Sequence, residues 1–265
     1  MPSIPTTVLQ TEGFTSGFHS HFEALKKERH ITNFYAPPEA RTGERIRLPE
    51  DESHHLARVL RLGEGDVVRV VDGCGMLYVG RVAAIGRDAV VVIEDAIADA
   101  GEPAYSLTIA MGLLKSRNRF EVFLEKAVEL GVECVVPILT AHSEESRINR
   151  RRVDSIVLAA TKQCGRSRLM KVEEPRSFES VVSTQGDVFV CHEAVSPTDT
   201  LLRRLLDRKP TECVVVVGPE GGFSENEVLQ CGQSGAEVVS LGVRRLRAET
   251  AAIAVASLAS AVLGP

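Results

Sequence analysis

The chain has 265 residues, a net charge of −5 and a hydrophobic fraction of 44%, values typical of a globular protein with one large domain or two small ones. Its net negative charge repels phosphate, so binding to nucleic acid through the overall field is excluded and local basic patches are required. The six cysteines show no Cys-x-x-Cys spacing, which excludes a zinc or redox site of that kind and indicates reduced thiols in the cytosol.

Residues 1–30 show no sustained periodicity. They lack the basic start and apolar run of a secretory signal, so we expect a flexible extension rather than a targeting segment. The Ala-rich run from Ala248 carries Glu249 and several serines, which favours a packed helix over a membrane span. These features predict a cytoplasmic protein.

Residues 31–100 show the pattern of a small β-barrel. Gly-containing turns separate short stretches of alternating or apolar residues, and one short helix fits Ser53 to Leu60. The predicted strands are Glu44–Leu48, Asp66–Asp72, Met76–Ile85 and Ala89–Glu94. A linker is predicted from Ala98 to Pro103.

Residues 104–265 alternate between strand and helix patterns. The predicted strands are Leu107–Met111, Cys134–Leu139, Val188–Cys191, Cys213–Val217 and Val238–Leu241. The predicted helices are Asn118–Leu130, Arg150–Cys164, Thr198–Arg208, Ser224–Gly232 and Ala248–Val262. This alternation with continuous apolar strands predicts an α/β fold whose parallel sheet is covered on both faces.

A basic patch lies between Arg147 and Lys171, where eight basic residues accompany one acid, Asp154, for a local charge of +7. Within it, Lys162-Gln-Cys-Gly-Arg166 ends a predicted helix. The patch could be a surface that binds RNA, or a solvated face in which Gly165 is an ordinary helix-ending residue.

A glycine-rich loop, Gly218-Pro-Glu-Gly-Gly-Phe-Ser224, follows the apolar strand Val214–Val217. Ser224 and Glu227 predict a capping box that starts the next helix. Such loops at strand ends bind ligands in open α/β sheets, although a purely structural turn has the same pattern. The loop has neither the Walker nor the Gly-x-Gly-x-x-Gly phosphate-binding pattern.

The segment Ser240–Ala252 repeats this arrangement of a strand end, a turn and a helix start. Arg244, Arg245 and Arg247 precede Glu249 in it. The arginines could contact a ligand or simply be solvated, and Glu249 could serve chemistry or only interact with the helix dipole.

In order along the chain, these motifs resemble the signatures of the RsmE-type family, the 16S rRNA uridine-N3 methyltransferases. The resemblance covers roughly residues 31–263. Its elements are the helix segment Ser53–Arg61, Lys126-Ala-Val-Glu-Leu-Gly-Val132, Gln163–Arg166, Gly218–Gly222 and Leu241–Thr250. The chain departs from the family at Asn33, where an arginine is common, and at Ala248, where threonine is usual.

The resemblance implies a PUA-like RNA-binding barrel at residues 31–100 and a SPOUT methyltransferase domain with a deep trefoil knot at 104–265. It also implies a homodimer that acts on 16S rRNA in the small ribosomal subunit or a late precursor. The cofactor would be S-adenosyl-L-methionine, held in the knot without a metal. The implied cofactor-binding residues are Val217, Gly218, Glu220, Gly221, Gly222, Leu241, Gly242, Leu246, Ala248, Glu249 and Thr250.

Uracil N3 carries a proton, so the site must favour the anionic base through a general base or nearby cations. We expect Arg166 and Arg247 to stabilise charge and Glu249 to be a possible base, with His192 a weaker candidate. A side chain at Gly221 is expected to block the cofactor. The candidate RNA-binding residues are Arg58, Arg61, Arg117, Arg150, Arg151, Arg166 and Arg168. Two alternatives stay open: a SpoU-like ribose 2′-O-methyltransferase acting on rRNA or tRNA, and a non-catalytic RNA-binding dimer.

Overall fold

A computed structural model describes residues 31–143 and 147–264. Residues 1–30, for which the sequence predicts a flexible extension, lie outside the described residues. In the part that is described, no helix combines the length and apolar character needed to span a membrane.

The N-terminal part of the chain forms a six-stranded sheet with the order β1-β4-β5-β6-β3-β2. Its strands are β1 Asn33–Tyr35, β2 Arg41–Thr42, β3 Arg45–Arg47, β4 Val67–Val71, β5 Met76–Ala84 and β6 Val90–Ala98. All pairs are antiparallel except β1 with β4. The sheet has its own apolar core, which includes Phe34, Ile46, Leu56 and Val70.

A short helix, α1 Glu50–His54, continues into a π-helical turn at His55–Val59. It begins three residues before the predicted start because Pro49 occupies its N-cap and acidic residues fill its first turn. Ser53 fixes the helix to the sheet: its hydroxyl donates to the Leu48 carbonyl at 3.1 Å and accepts from the Ala89 N–H at 2.8 Å.

The C-terminal part contains a seven-stranded sheet in which every pair is parallel, which confirms the predicted α/β fold. The path is β10-β8-β7-β12-β11-β13, and β9 also pairs with β8. The strands are β7 Ser106–Gly112, β8 Cys134–Leu139, β9 Lys171–Val172, β10 Arg176–Ser177, β11 Asp187–Cys191, β12 Glu212–Val217 and β13 Glu237–Val239. The helices are α2 Arg117–Glu129, α3 Arg150–Cys164, α4 Phe178–Val182, α5 Leu201–Arg208, α6 Glu225–Ser234 and α7 Ala248–Leu263.

Both faces of this sheet are buried. Along β12, Val215 and Val217 belong to a core shared with α2, α3, α5 and α7, whereas Val216 belongs to a second core shared with α4 and α6. Successive strand side chains point to opposite faces, so strands covered on both sides must be apolar at every position. The continuous valine run of β12 meets this requirement.

Arg166 fixes the segment that connects the two parts of the chain, from a buried position with 4% of its surface exposed. Its Nε and Nη2 donate to Glu102 Oε2 at 3.1 and 2.8 Å, and its Nη1 donates to the carbonyls of Val128 and Val132, at the end of α2. The other Glu102 oxygen accepts the backbone N–H groups of Ser167 and Arg168. The prediction that Arg166 is catalytic and faces RNA is therefore wrong, because its guanidinium is committed to contacts inside the protein.

A second joint connects β1 and α1 to the end of α3. Asn33 Nδ2 donates to the Lys162 carbonyl at 2.7 Å, and the Lys162 ammonium pairs with the buried Glu52 carboxylate. Asn33, which departs from the family pattern, thus ties the N-terminal sheet to the C-terminal part.

Candidate active site

A cavity of about 440 Å³ lies at the carboxyl ends of β11, β12 and β13. Open α/β sheets bind ligands at this edge, and the volume falls within the range of small-molecule sites. Nine of the eleven predicted cofactor-binding residues line it: Val217, Gly218, Glu220, Gly221, Gly222, Leu241, Gly242, Leu246 and Ala248.

The glycine-rich loop forms one wall of the cavity and is anchored at both ends. At its start, a Cβ atom on Gly112 would clash with Pro219, so only glycine lets the end of β7 pack against the loop. At its end, the predicted capping box is present, since the Ser224 and Glu227 side chains each bond the backbone of the other. Glu227 Oε1 also accepts the Ala141 N–H at 2.9 Å, which ties the loop to the segment after β8.

Gly221 was expected to be glycine because a side chain would block the cofactor, but in the structure the nearest obstacle is His142. A Cβ atom there would lie 2.8 Å from the Cβ of His142, so the position packs against that side chain. A substitution at Gly221 would therefore disturb the loop's contact with His142. Gly222, with φ +69° and open space around its Cβ position, is the loop glycine that a methyl group would not crowd.

The second wall is the segment Ser240–Ala248. The Ser240 hydroxyl accepts the Gly242 N–H at 3.0 Å, and Gly242 has φ +112°, a conformation that L side chains rarely adopt. This tight turn places Arg244, Arg245 and Arg247 on the cavity wall, all three exposed. The predicted candidate Arg247 thus lies at the site.

Glu249 and Thr250 do not line the cavity. Glu249 Oε1 lies 3.6 Å from Arg119 Nε, and its buried Oε2 has no hydrogen-bond partner among the described residues. The carboxylate proposed as a base therefore contacts the first turn of α2 and is not on the cavity wall.

Four residues that line the cavity were not predicted from the sequence as site residues. Cys191, Glu193, Phe223 and Ser240 all line it. Burial raises the pKa of the Cys191 thiol to about 12, so the thiol stays protonated and acts as apolar wall. For two of them, the position in the sequence could have indicated the site. Cys191 ends a buried strand, and Glu193 follows it at the sheet edge where ligands bind.

His192, the weaker candidate, also lines the cavity. Its Nδ1 accepts the Ala194 N–H at 3.1 Å, so in the neutral ring the proton is on Nε2. The ring is then a hydrogen-bond donor toward a ligand.

The basic patch is largely neutralised by acids from distant parts of the chain. Arg150 pairs with Glu174 at 2.7 Å, and Arg168 pairs with Asp99 at 2.6 Å. Arg152, Lys162 and Arg166 pair with Glu121, Glu52 and Glu102. Of the seven predicted RNA-binding residues, Arg58, Arg61 and Arg151 are exposed and form no ion pair within the described part of the chain. Arg117 is also exposed.

Known proteins match this chain over most of its length. Residues 101–260 match the family model of the RNA methyltransferase domain, and residues 48–95 match that of the RNA methyltransferase PUA domain. A relative in Synechocystis, named ribosomal RNA small subunit methyltransferase E, is 30% identical over 214 residues, which cover 78% of this chain and 69% of the relative. A relative of the same name in Rickettsia conorii is 26% identical, with 79% of this chain and 86% of the relative covered.

Solved structures have the same fold. The ribosomal RNA small subunit methyltransferase E of Neisseria gonorrhoeae, bound to S-adenosyl methionine, superposes with a TM-score of 0.79 at 26% identity, covering 89% of this chain and 99% of that one. A probable rRNA-methyltransferase of Porphyromonas gingivalis gives 0.77 at 30% identity, covering 88% and 98%.

The parallel sheet, the cavity at its carboxyl edge and the attached PUA-type domain define an RNA-modifying enzyme. The chain belongs to the RNA methyltransferase family whose members include the ribosomal RNA small subunit methyltransferases E. The resemblance found in the sequence motifs is thereby confirmed.

Proposed function

We propose that this enzyme methylates N3 of a specific uridine in 16S rRNA, with S-adenosyl-L-methionine as methyl donor, in the cytoplasm. The observation that carries the proposal is the cavity between Gly218–Gly222 and Leu241–Ala248 in a chain of this family. The relatives' shared name supports 16S rRNA as the substrate, and the Neisseria structure supports the donor.

The cavity suits the donor in size and chemistry. Its walls offer glycine backbone for close approach, apolar side chains such as Leu241 and Leu246, and charged groups at the rim. When bound, S-adenosyl-L-methionine supplies a methyl carbon on a positively charged sulfur. The residues that would hold it are the nine that line the cavity, while Glu249 and Thr250 lie in the first turn of α7, next to Ala248.

The chain's own task is to orient the uracil and stabilise it without its N3 proton. Arg247 lies on the cavity wall and is exposed, so its guanidinium can interact with a carbonyl oxygen of the anionic base. Arg244 lies on the same wall, and its guanidinium can donate hydrogen bonds to the other carbonyl oxygen of the uracil or to an RNA phosphate.

The N-terminal part would hold RNA around the target. The π-helical turn of α1 exposes Arg58 together with Val59 and Leu60, and Arg61 follows at φ +55°. π-Helical turns and positive φ at a non-glycine residue occur often at functional sites. With Arg117 and Arg151, these arginines form the proposed RNA-binding surface.

Three further features of the family complete the proposal. The chain would divide into an N-terminal extension at 1–30, a PUA-like barrel at 31–100 and a SPOUT domain at 104–265 that carries the knot. The enzyme would act as a homodimer through α7, whose small residues allow close helix approach. It would act on the small subunit or a late precursor.

Two measurements test this function. Calorimetry should show binding of S-adenosyl-L-methionine to the purified chain, since the cavity would accept it. Small subunits from a strain lacking the enzyme should then gain labelled methyl groups on bases. Absence of binding would favour a non-catalytic RNA-binding dimer, and label on ribose would favour the SpoU-like reaction.

A further inference from the structure

Two glutamate residues line the cavity, and their carboxylates differ in their surroundings. Glu193 lies 3.3 Å from Arg245 Nε, with 63% of its side chain exposed. Glu220 is partly buried, and nothing in residues 31–143 or 147–264 hydrogen-bonds or ion-pairs with its carboxylate. The Glu220 carboxylate accepts no hydrogen bond from the described part of the protein, so its lone pairs are available to a substrate in the cavity.

The other groups that could accept a proton either use their lone pair within the protein or lie off the cavity wall. His192 uses the Nδ1 lone pair on the Ala194 N–H, which leaves a donor at Nε2. Glu249 pairs with Arg119 off the cavity wall. In the described part of the chain, Glu220 is thus the acceptor on this wall without a competing partner.

We propose that the Glu220 side chain is the general base of the reaction. The uracil N3–H bond breaks, its electron pair stays on N3, and the proton forms an O–H bond with a Glu220 oxygen. Arg244 and Arg247 on the opposite wall stabilise the anion through its carbonyl oxygens, which favours the transfer. The backbone of Glu220 remains part of the cofactor cradle, and only its carboxylate has this role.

This inference rests on the proposed function, and the variant Glu220→Gln tests it. Glutamine keeps the size and shape of the side chain but removes its charge and its ability to act as a base. Its matched control is Glu225→Gln, which removes an exposed carboxylate five residues along, outside the cavity. For each protein we would measure the Kd of S-adenosyl-L-methionine by calorimetry and single-turnover transfer to small subunits between pH 6 and about 9.

The expected result is an unchanged Kd and a fall in rate of at least about 100-fold at pH 7 for Glu220→Gln. The rate of this variant should rise about tenfold per pH unit, because uridine ionised by solvent then supplies the nucleophile, while the parent rate stays nearly flat. Glu225→Gln should match the parent throughout.

Two outcomes would overturn the inference while leaving the proposed function intact: parental transfer by Glu220→Gln, or loss of cofactor affinity that accounts for the lower rate. A lower rate with the parent's flat pH profile would assign Glu220 a structural role and also overturn it. A parent enzyme that methylates no uridine N3 would refute the proposed function and this inference together.

Discussion

Residues of the family motifs have two different roles in this enzyme: some stabilise the fold and others line the cavity. Arg166 and Gly222 both belong to motifs that carry the family resemblance, yet Arg166 is buried against Glu102 and the end of α2, whereas Gly222 lines the cavity. A motif read from sequence alone does not say which of these roles it has.

Arg166→Ala should destabilise the fold by about 3–5 kcal/mol, because it leaves the Glu102 carboxylate buried without its cation. The control Arg168→Ala breaks an exposed pair with Asp99 and should cost no more than about 1 kcal/mol. Urea unfolding of both variants measures the difference. Parental stability of Arg166→Ala with loss of methyl transfer would restore the catalytic role.

Gly222→Ala should abolish or strongly weaken binding of S-adenosyl-L-methionine. Its control is Gly235→Ala at the end of α6, which has a similar φ of +82° and equal space, but lies outside the cavity. Both substitutions should cost about 1–2 kcal/mol of stability through backbone strain, so only the cavity position distinguishes them. Equal cofactor affinity of the two folded variants would contradict this placement of the site.

At the scale of elements, the length of a helix or strand determined whether the sequence predicted it. In the C-terminal part, the long helices and apolar strands are found within three residues of their predicted ends, and α3 matches at both ends. The two-residue strands β9 and β10 and the five-residue helix α4 were missed, because so few residues show no period. Their positions depend on pairing with β8 and packing against α6.

Helix α7 carries the prediction of a homodimer. Ala261 is exposed near its C-terminal end, so Ala261→Glu should place charge in the interface and produce monomers. The control Ala159→Glu makes the same change at an exposed position of α3. Light scattering at micromolar concentration should give a dimer for the parent and the control. A monomeric parent, or a dimeric Ala261→Glu, would contradict an interface at this point of α7.

At the scale of the whole molecule, the sequence did not predict the net charge of the basic patch. The basic patch appears cationic along the chain, but Glu52, Asp99, Glu102, Glu121 and Glu174 reach it from distant segments. No local pattern shows these pairings, since they depend on the tertiary fold. The cavity was predictable because strand ends and glycine-rich loops are local features, whereas the free carboxylate of Glu220 needed coordinates.

RNA affinity should therefore depend on the arginines outside these pairs. Arg58→Ala should reduce the slope of log affinity against log salt by about 0.7–1, the loss of one phosphate contact. Arg87→Ala, which removes a charge already paired with Glu50 on the same sheet domain, should leave the slope unchanged. Filter binding of a 16S rRNA fragment across salt concentrations would measure both. Equal slopes would remove Arg58 from the RNA-binding surface.

The atom that accepts the methyl group distinguishes the proposed reaction from its alternatives. Small subunits from a strain lacking the enzyme would be incubated with the parent chain and S-adenosyl-L-methionine, and their rRNA digested to nucleosides for chromatography and mass spectrometry. We predict 3-methyluridine as the new nucleoside, in a yield approaching one per subunit. A 2′-O-methylated nucleoside, or no methylated nucleoside from a chain that binds the donor, would contradict the account.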